Sequence, residues 1–293
     1  MQHRPLWLTL APFIFLILWS VGYSVAKIGL QFTDPMTLLA LRFGSVILIM
    51  GVLFVVIRPP LPKTRADWLH LAFVGFLLQA VYFGMNYYAF NSGVGAGTLA
   101  LVMSFQPILV ALIAPLWTKE IISRKSWIGL ALGLAGTLLV IASRTEIEPP
   151  TLLGMTFCSI ALLGITSGSL WEKRFGLNHH PVTANLVGYT AGFIGILPAL
   201  ALQDSFEIEW TGTFIAALAY LVVGNSVIAV GLLLAMIRVG DVSRVSALFF
   251  LVPPLAALTA WVLLGEIMPP LAWVGLAFAS LGVYLATRKP RDV

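Results

Sequence analysis

The sequence predicts an all-α integral membrane protein of ten transmembrane helices, arranged as two five-helix repeats of inverted topology. Three observations lead there. Charged residues make up 10% of the chain and apolar residues 59%, against about 25% charged in ordinary soluble domains. Ten apolar runs divide the chain, and one long stretch of it occurs twice. So few charges could not cover the surface of a soluble protein of 293 residues. The single cysteine, Cys158, leaves no intrachain disulfide framework and no thiolate metal cluster.

A crossing helix needs about 20 mainly apolar residues to cover about 30 Å of hydrocarbon. Apolar runs between polar or Pro-rich breaks place the spans at 7–30, 36–57, 67–90, 95–117, 126–143, 152–174, 182–202, 212–236, 242–264 and 270–287. The first run has the basic start of a signal peptide. It continues through Trp19 and Tyr23 without a small-residue cleavage site, so it reads as a retained first span. The breaks are short, and none has room for a soluble domain.

The stretch Met103–Gly136 returns at Phe249–Gly282 with a shift of 146 residues and no gap. Pro107 falls on Pro253, Glu120 on Glu266, Trp127 on Trp273, Gly129 on Gly275 and Gly136 on Gly282. Gly22 with Gly168, Lys27 with Lys173 and Pro35 with Pro181 extend the register toward the start. The chain therefore divides into repeats 1–146 and 147–293. Five spans per repeat is an odd number, so the second copy lies upside down relative to the first, as in many secondary transporters.

Lys and Arg excess marks cytoplasmic loops. With the N-terminus inside, fourteen Lys and Arg fall in inner segments and one, Arg144, in an outer loop. The reverse orientation would invert that bias, so both termini are expected in the cytoplasm.

Several short elements stand at matching places in this order: WSVGYSVAK at Trp19–Lys27, LALRF at Leu39–Phe43, TKE at Thr118–Glu120 and LGE at Leu264–Glu266. With ten spans in two halves, they make the chain resemble the drug/metabolite transporter superfamily and, within it, the EamA-type exporters. Size and span pattern are similar to the YddG-type amino-acid exporters. The resemblance covers nearly the whole chain and implies export of small metabolites from the cytoplasm. The LRF element is not repeated, because Gly188 stands at the second-half position of Arg42.

Transporters of this symmetry bind substrate near the bilayer midplane, between the repeats. Pro107 and Pro253 fall near the centres of spans four and nine. Each withdraws a hydrogen bond from the carbonyl four residues earlier, Met103 and Phe249. Such a site is either a packed kink or a bent helix lining a substrate path. Gln79, Tyr82 and Asn86 have the i, i+3, i+7 spacing of one helical face, and Asn225 is the repeat mate of Gln79. Buried amides serve either as helix–helix contacts or as cavity lining. Trp19, Ser20 and Tyr23 in span one, Gln106 in span four, Thr166 in span six, and Ser246, Phe249 and Phe250 in span nine complete the candidates. The cavity they imply is aromatic, amide and hydroxyl, charged only near its edges. That suits a neutral amino acid with an apolar or aromatic side chain better than a phosphate or a sugar acid.

Four charged residues are further candidates. Lys27 lies close enough to a span end to snorkel and anchor. Arg42 is about six residues into span two, ~9 Å at the helical rise, where it binds either helix carbonyls or a substrate carboxylate. Glu120 and Glu266 each follow one span and precede the next, positions that fit capping of the following helix or pairing with a base ahead of gating. No Asp, Glu or His falls in the middle of any span, which favours gradient-driven export over obligatory proton antiport. A membrane enzyme would need a catalytic constellation at depth, and a channel or the export of drugs, sugars or amines stands as the alternative. The expected partners are a small-molecule substrate and the lipid bilayer of a cell membrane, the inner one in a Gram-negative cell. Cofactors, metals and nucleic acid are not expected, and the oligomeric state is open, with a monomer plausible.

Overall fold

A computed structural model describes residues 6–144, 151–176, 179–203, 206–264 and 267–288. Ten helices in it are long and apolar enough to cross a membrane. They are α1 (Leu6–Gly29), α2 (Pro35–Ile57), α3 (Arg65–Asn91), α4 (Ala96–Met103 and Gln106–Trp117), α5 (Arg124–Arg144), α6 (Leu152–Phe175), α7 (Pro181–Ala201), α8 (Gly212–Val239), α9 (Val242–Ala247, Leu248–Leu251 and Val252–Leu264) and α10 (Pro270–Thr287). Among the described residues the only extended pairing is an isolated bridge, Thr33 to Ile208. The ten spans agree with those read from the apolar runs to within a few residues.

Local chemistry explains the starts. Pro35, Pro181 and Pro270 open α2, α7 and α10, where a fixed φ suits the first turn and no N–H is wasted. Thr64 and Asp67 form a capping box at the start of α3, each side chain accepting from the other's backbone N–H. The outward faces stay apolar: Leu48, Val52, Val55, Leu116, Leu163 and Ile194 are all more than half exposed, as a lipid-facing surface requires.

α2 packs on α7, α5 on α10, and the second half of α4 on the start of α9. α3 packs on α6, and α8 packs on α1. Glycine makes the closest of these crossings. A Cβ at Gly136 would come 2.3 Å from the Ala279 nitrogen, and one at Gly282 would come 2.3 Å from the Gly133 nitrogen. Backbones approach this closely in membranes through small residues.

Four spans depart from plain α-helix. α3 carries a π-helical stretch at Phe76–Phe83 and α8 another at Leu221–Val230. α4 breaks at Ser104 and Phe105, directly before Pro107. α9 tightens to a 3-10 turn at Leu248–Leu251, directly before Pro253 and Pro254. The disturbance expected around Met103 and Phe249 is therefore present in both spans. Pro254 withdraws the helical donor from the Phe250 carbonyl, and the Thr137 hydroxyl of α5 takes its place at 2.9 Å.

Candidate functional site

The bundle has two faces. Its basic face carries the start of α1, the end of α10 and the α2–α3, α4–α5, α6–α7 and α8–α9 connections; the opposite face carries the others. In the half nearer the opposite face, α1, α2, α3 and α8 line a narrow, half-open pocket. It runs from Trp19, at mid-depth, to Ala26 and Phe90 in the last turns of α1 and α3.

Arg42 is the centre of this cavity. It is 1% exposed. Its Nε donates to Ser226 Oγ at 2.6 Å, Nη1 to the Tyr87 hydroxyl at 3.1 Å and Nη2 to Asn225 Oδ1 at 2.6 Å. The guanidinium also lies 4.1 Å from the centre of the Phe83 ring, a cation–π distance. All of these partners are neutral. The expectation of a cavity charged only at its edges is thus corrected: the arginine side chain folds back from α2 into the space between the helices. Gly22 makes room for Asn225, because a Cβ there would lie 2.4 Å from the Asn225 amide nitrogen.

The Tyr23 and Tyr82 hydroxyls share a hydrogen bond of 2.7 Å on one wall. Asn86 is 2% exposed and lines the cavity with neither amide atom hydrogen-bonded. Trp19 forms the floor, stacked on Tyr82 and edge-on to Phe249 with ring centres 5.4 Å apart. Beyond this floor, a second pocket between α3, α6, α7 and α8 is lined by Gln79, Asn185, Tyr189, Glu172 and Arg238 among others. Ser226 divides the two spaces. Its hydroxyl accepts from Arg42, and its carbonyl accepts from the Tyr189 hydroxyl at 3.0 Å.

The basic face is closed by charged contacts. The Glu120 carboxylate accepts from the Val242 N–H at 2.7 Å, the Ser243 N–H at 3.2 Å and the Ser243 hydroxyl at 2.8 Å. It therefore caps the start of α9 rather than α5, the helix that follows it in sequence. Lys119 has a left-handed φ of 59°, which turns the chain sharply between α4 and Glu120. Glu172 pairs with Arg238. Lys173 donates to the Gly240 carbonyl at 2.6 Å, and Arg174 to the Trp117 carbonyl at 2.9 Å.

The candidates read from the sequence divide into groups. Trp19, Tyr23, Arg42, Tyr82, Asn86 and Asn225 line the cavity together. Gln79 does not: the wider π-helical turn rotates it away from Tyr82 and Asn86, and its Cβ faces Gly192. The shared face expected from α-helical spacing is corrected accordingly. Met103, Gln106, Pro107, Ser246, Phe249, Phe250 and Pro253 belong to α4 and α9 and are not part of the cavity lining. Gln106 Nε2 donates to Ser246 Oγ at 3.1 Å and joins the two broken spans. Ser20 is buried with its hydroxyl unpaired, and the Thr166 hydroxyl bonds back to its own helix at Leu162. Lys27 is exposed near the opposite face. Glu266 lies outside the described residues.

Ser226, Tyr87, Phe83, Glu172 and Thr137 were missed. A signal existed for Ser226: Asn225 and Ser226 are adjacent polar residues inside a long apolar run. Two neighbours in an α-helix rarely reach the same partner, and the π-helical turn is what lets both meet Arg42.

Ten spans around a half-open polar cavity have the form of a membrane transporter. The chain matches the EamA-like transporter family over residues 6–142 and again over 152–288, and it belongs to that family. It is 26% identical over 283 residues to a protein of Salmonella typhimurium named "Probable amino-acid metabolite efflux pump", covering 93% of this chain and 92% of that one. The inner membrane transporter YedA of Escherichia coli is 25% identical over 288 residues, covering 96% and 92%. Bacillus subtilis YvbV, a transporter, is 25% identical over 281 residues, covering 94% and 90%. A solved crystal structure superposes with a TM-score of 0.79 at 20% identity, covering 96% of each chain, and has the same fold. The protein is thus a multi-pass transporter of the cell membrane.

Proposed function

We propose that the protein is a secondary transporter, not an enzyme, that exports small metabolites from the cytoplasm by alternating access, with amino acids of apolar or aromatic side chain as its preferred substrates. The observation that carries this is the arrangement along the bundle axis. A buried polar cavity runs toward the opposite face, while charged contacts tie the basic face shut. With the basic face cytoplasmic, as the Lys and Arg excess demands, the conformation is closed to the cytoplasm. The second pocket, beyond Ser226 and Tyr189, is then the cytoplasmic continuation of the path.

The two repeats, 1–146 and 147–293, supply the mechanical basis. The two family matches start 146 residues apart, at 6 and 152. The π-helical stretches of α3 and α8, and the breaks of α4 and α9, overlap under the same shift. Inverted repeats allow one arrangement to convert into its mirror across the membrane by rocking. The cavity lining includes no Asp, Glu or His, in keeping with movement down the solute's own gradient. The name of the Salmonella relative points to the same class of solute.

The test is flux in proteoliposomes. Counterflow of labelled amino acids should be saturable, and Tyr82→Ala or Asn86→Ala should lower it severalfold while the protein still purifies as a monodisperse species. Flux that is unchanged in both variants across several amino acids would remove the site assignment; flux that never saturates would indicate a channel.

A further inference from the structure

We propose that Arg42 is the carboxylate receptor of the transport cavity, and that the substrates are small amphipathic monocarboxylates whose second polar group meets the Asn86 amide. This rests on the transporter reading and narrows it. The argument starts from an electrostatic imbalance. A guanidinium taken out of water needs a counter-charge, yet Arg42 is 1% exposed and forms no ion pair among the described residues. Its three hydrogen bonds go to a serine hydroxyl, a tyrosine hydroxyl and an amide oxygen.

A guanidinium has five N–H donors. With three engaged, one N–H remains on Nη1 and one on Nη2, donors that a carboxylate can take up. One cation compensates one negative charge, so a monoanionic head group fits and a phosphate dianion does not. A cationic amine would be repelled, and a sugar would leave the guanidinium uncompensated.

Asn86 supplies the second point of recognition. Both of its amide atoms are buried without partners, and the residue belongs to the cavity lining. Its Oδ1 can accept from an ammonium and its Nδ2 can donate to a carbonyl or hydroxyl, so it reads the group beside the carboxylate. Trp19, Phe83 and Phe90 form the apolar wall against which the rest of the molecule would lie once the pocket widens to admit it.

The ligand series tests this on the unaltered, full-length protein in detergent, by titration calorimetry. L-phenylalanine and 3-phenylpropionate should bind. Phenylalaninamide and phenylethylamine, which lack the carboxylate, should bind at least tenfold more weakly. Arg42→Gln should weaken both acids at least tenfold, with Arg42→Lys intermediate. Asn86→Ala should abolish the preference for L-phenylalanine over 3-phenylpropionate. The proposal falls if the amide or amine binds as tightly as the acids, if neither acid binds, or if Arg42→Gln binds them like the parent. Should the Arg42 variants fail to fold, the series on the parent protein still decides. Acid-selective binding with no counterflow in proteoliposomes would support the Arg42 site and overturn the transporter reading. Counterflow of phenylethylamine equal to that of L-phenylalanine would do the reverse.

Discussion

The two ends of the bundle are held by different chemistry. At the face opposite the basic one, the contacts that join the α1–α2 and α7–α8 connections run through neutral groups. Thr33 bridges to Ile208, the Glu209 N–H donates to the Phe32 carbonyl at 2.9 Å, and the Gln203 side chain reaches the Met36 N–H and the Thr37 hydroxyl. At the basic face the ties are ionic: Glu120 on the start of α9, Glu172 with Arg238, and Lys173 and Arg174 on backbone carbonyls. Charged hydrogen bonds are strong when dry and lose most of their value once water reaches them. Under the alternating-access mechanism proposed above, the ionic end would act as a latch that opens as a set, and the neutral end as a hinge. Arg42, which forms no ion pair among the described residues, lies beyond these contacts, on the side where the cavity runs out of the bundle.

The largest expected effect comes from breaking the buried part of the latch. Glu172 is 2% exposed and its partner Arg238 12%. Glu172→Leu leaves a buried guanidinium uncompensated and should cost about 3–5 kcal/mol, read as a clear fall in the thermal midpoint in detergent. The double variant Glu172→Leu with Arg238→Leu should regain most of that loss, because replacing both members of a buried pair by apolar residues is close to neutral. A single variant as stable as the parent would show that ionic contact does not hold this end.

Glu120 comes next. Glu120→Ala removes three hydrogen bonds from the start of α9, where Asp241 makes no side-chain cap of its own. Loss of a cap costs about 1–2 kcal/mol. The more telling readout is access. With Cys158→Ser and Ser246→Cys as background, a polar maleimide should label position 246 severalfold faster from the basic face after Glu120→Ala. Equal labelling rates would mean that the Glu120 contacts are not part of the closure.

The ionic end was only half legible in the sequence. TKE at Thr118–Glu120 stood out as a charge between spans, and capping was the physical expectation. Its target, 122 residues further on, depends on how α4 and α9 pack, which no local rule contains. Glu172 and Arg238 lie at the ends of apolar runs, where charges are ordinary, so nothing marked them as partners. The fold itself was legible because its determinants are local or periodic. Apolar length sets the spans, proline sets the breaks in α4 and α9, and the 146-residue shift relates the halves. The cavity was partly legible through Trp19, Tyr23, Tyr82, Asn86 and Asn225. Arg42 was seen as an intramembrane charge, but not as the centre of the site. Gln79 was misplaced because hydrophobic patterning assumes 3.6 residues per turn, and α3 departs from it between Phe76 and Phe83.

The smallest expected effect tests the neutral end. Gln203 Oε1 accepts from the Met36 N–H at 2.9 Å, and its Nε2 donates to the Thr37 hydroxyl at 3.0 Å. These bonds tie the end of α7 to the first turn of α2, where backbone N–H groups lack helical partners. Gln203→Ala should cost about 1 kcal/mol, the net worth of a typical neutral hydrogen bond. It should leave labelling of position 246 from the basic face unchanged, because it touches only the hinge. If Gln203→Ala instead accelerated that labelling as much as Glu120→Ala, the two ends would be coupled rigidly. The latch and hinge would then be one element, and closure at the basic face would depend on the neutral contacts as much as on the ionic ones.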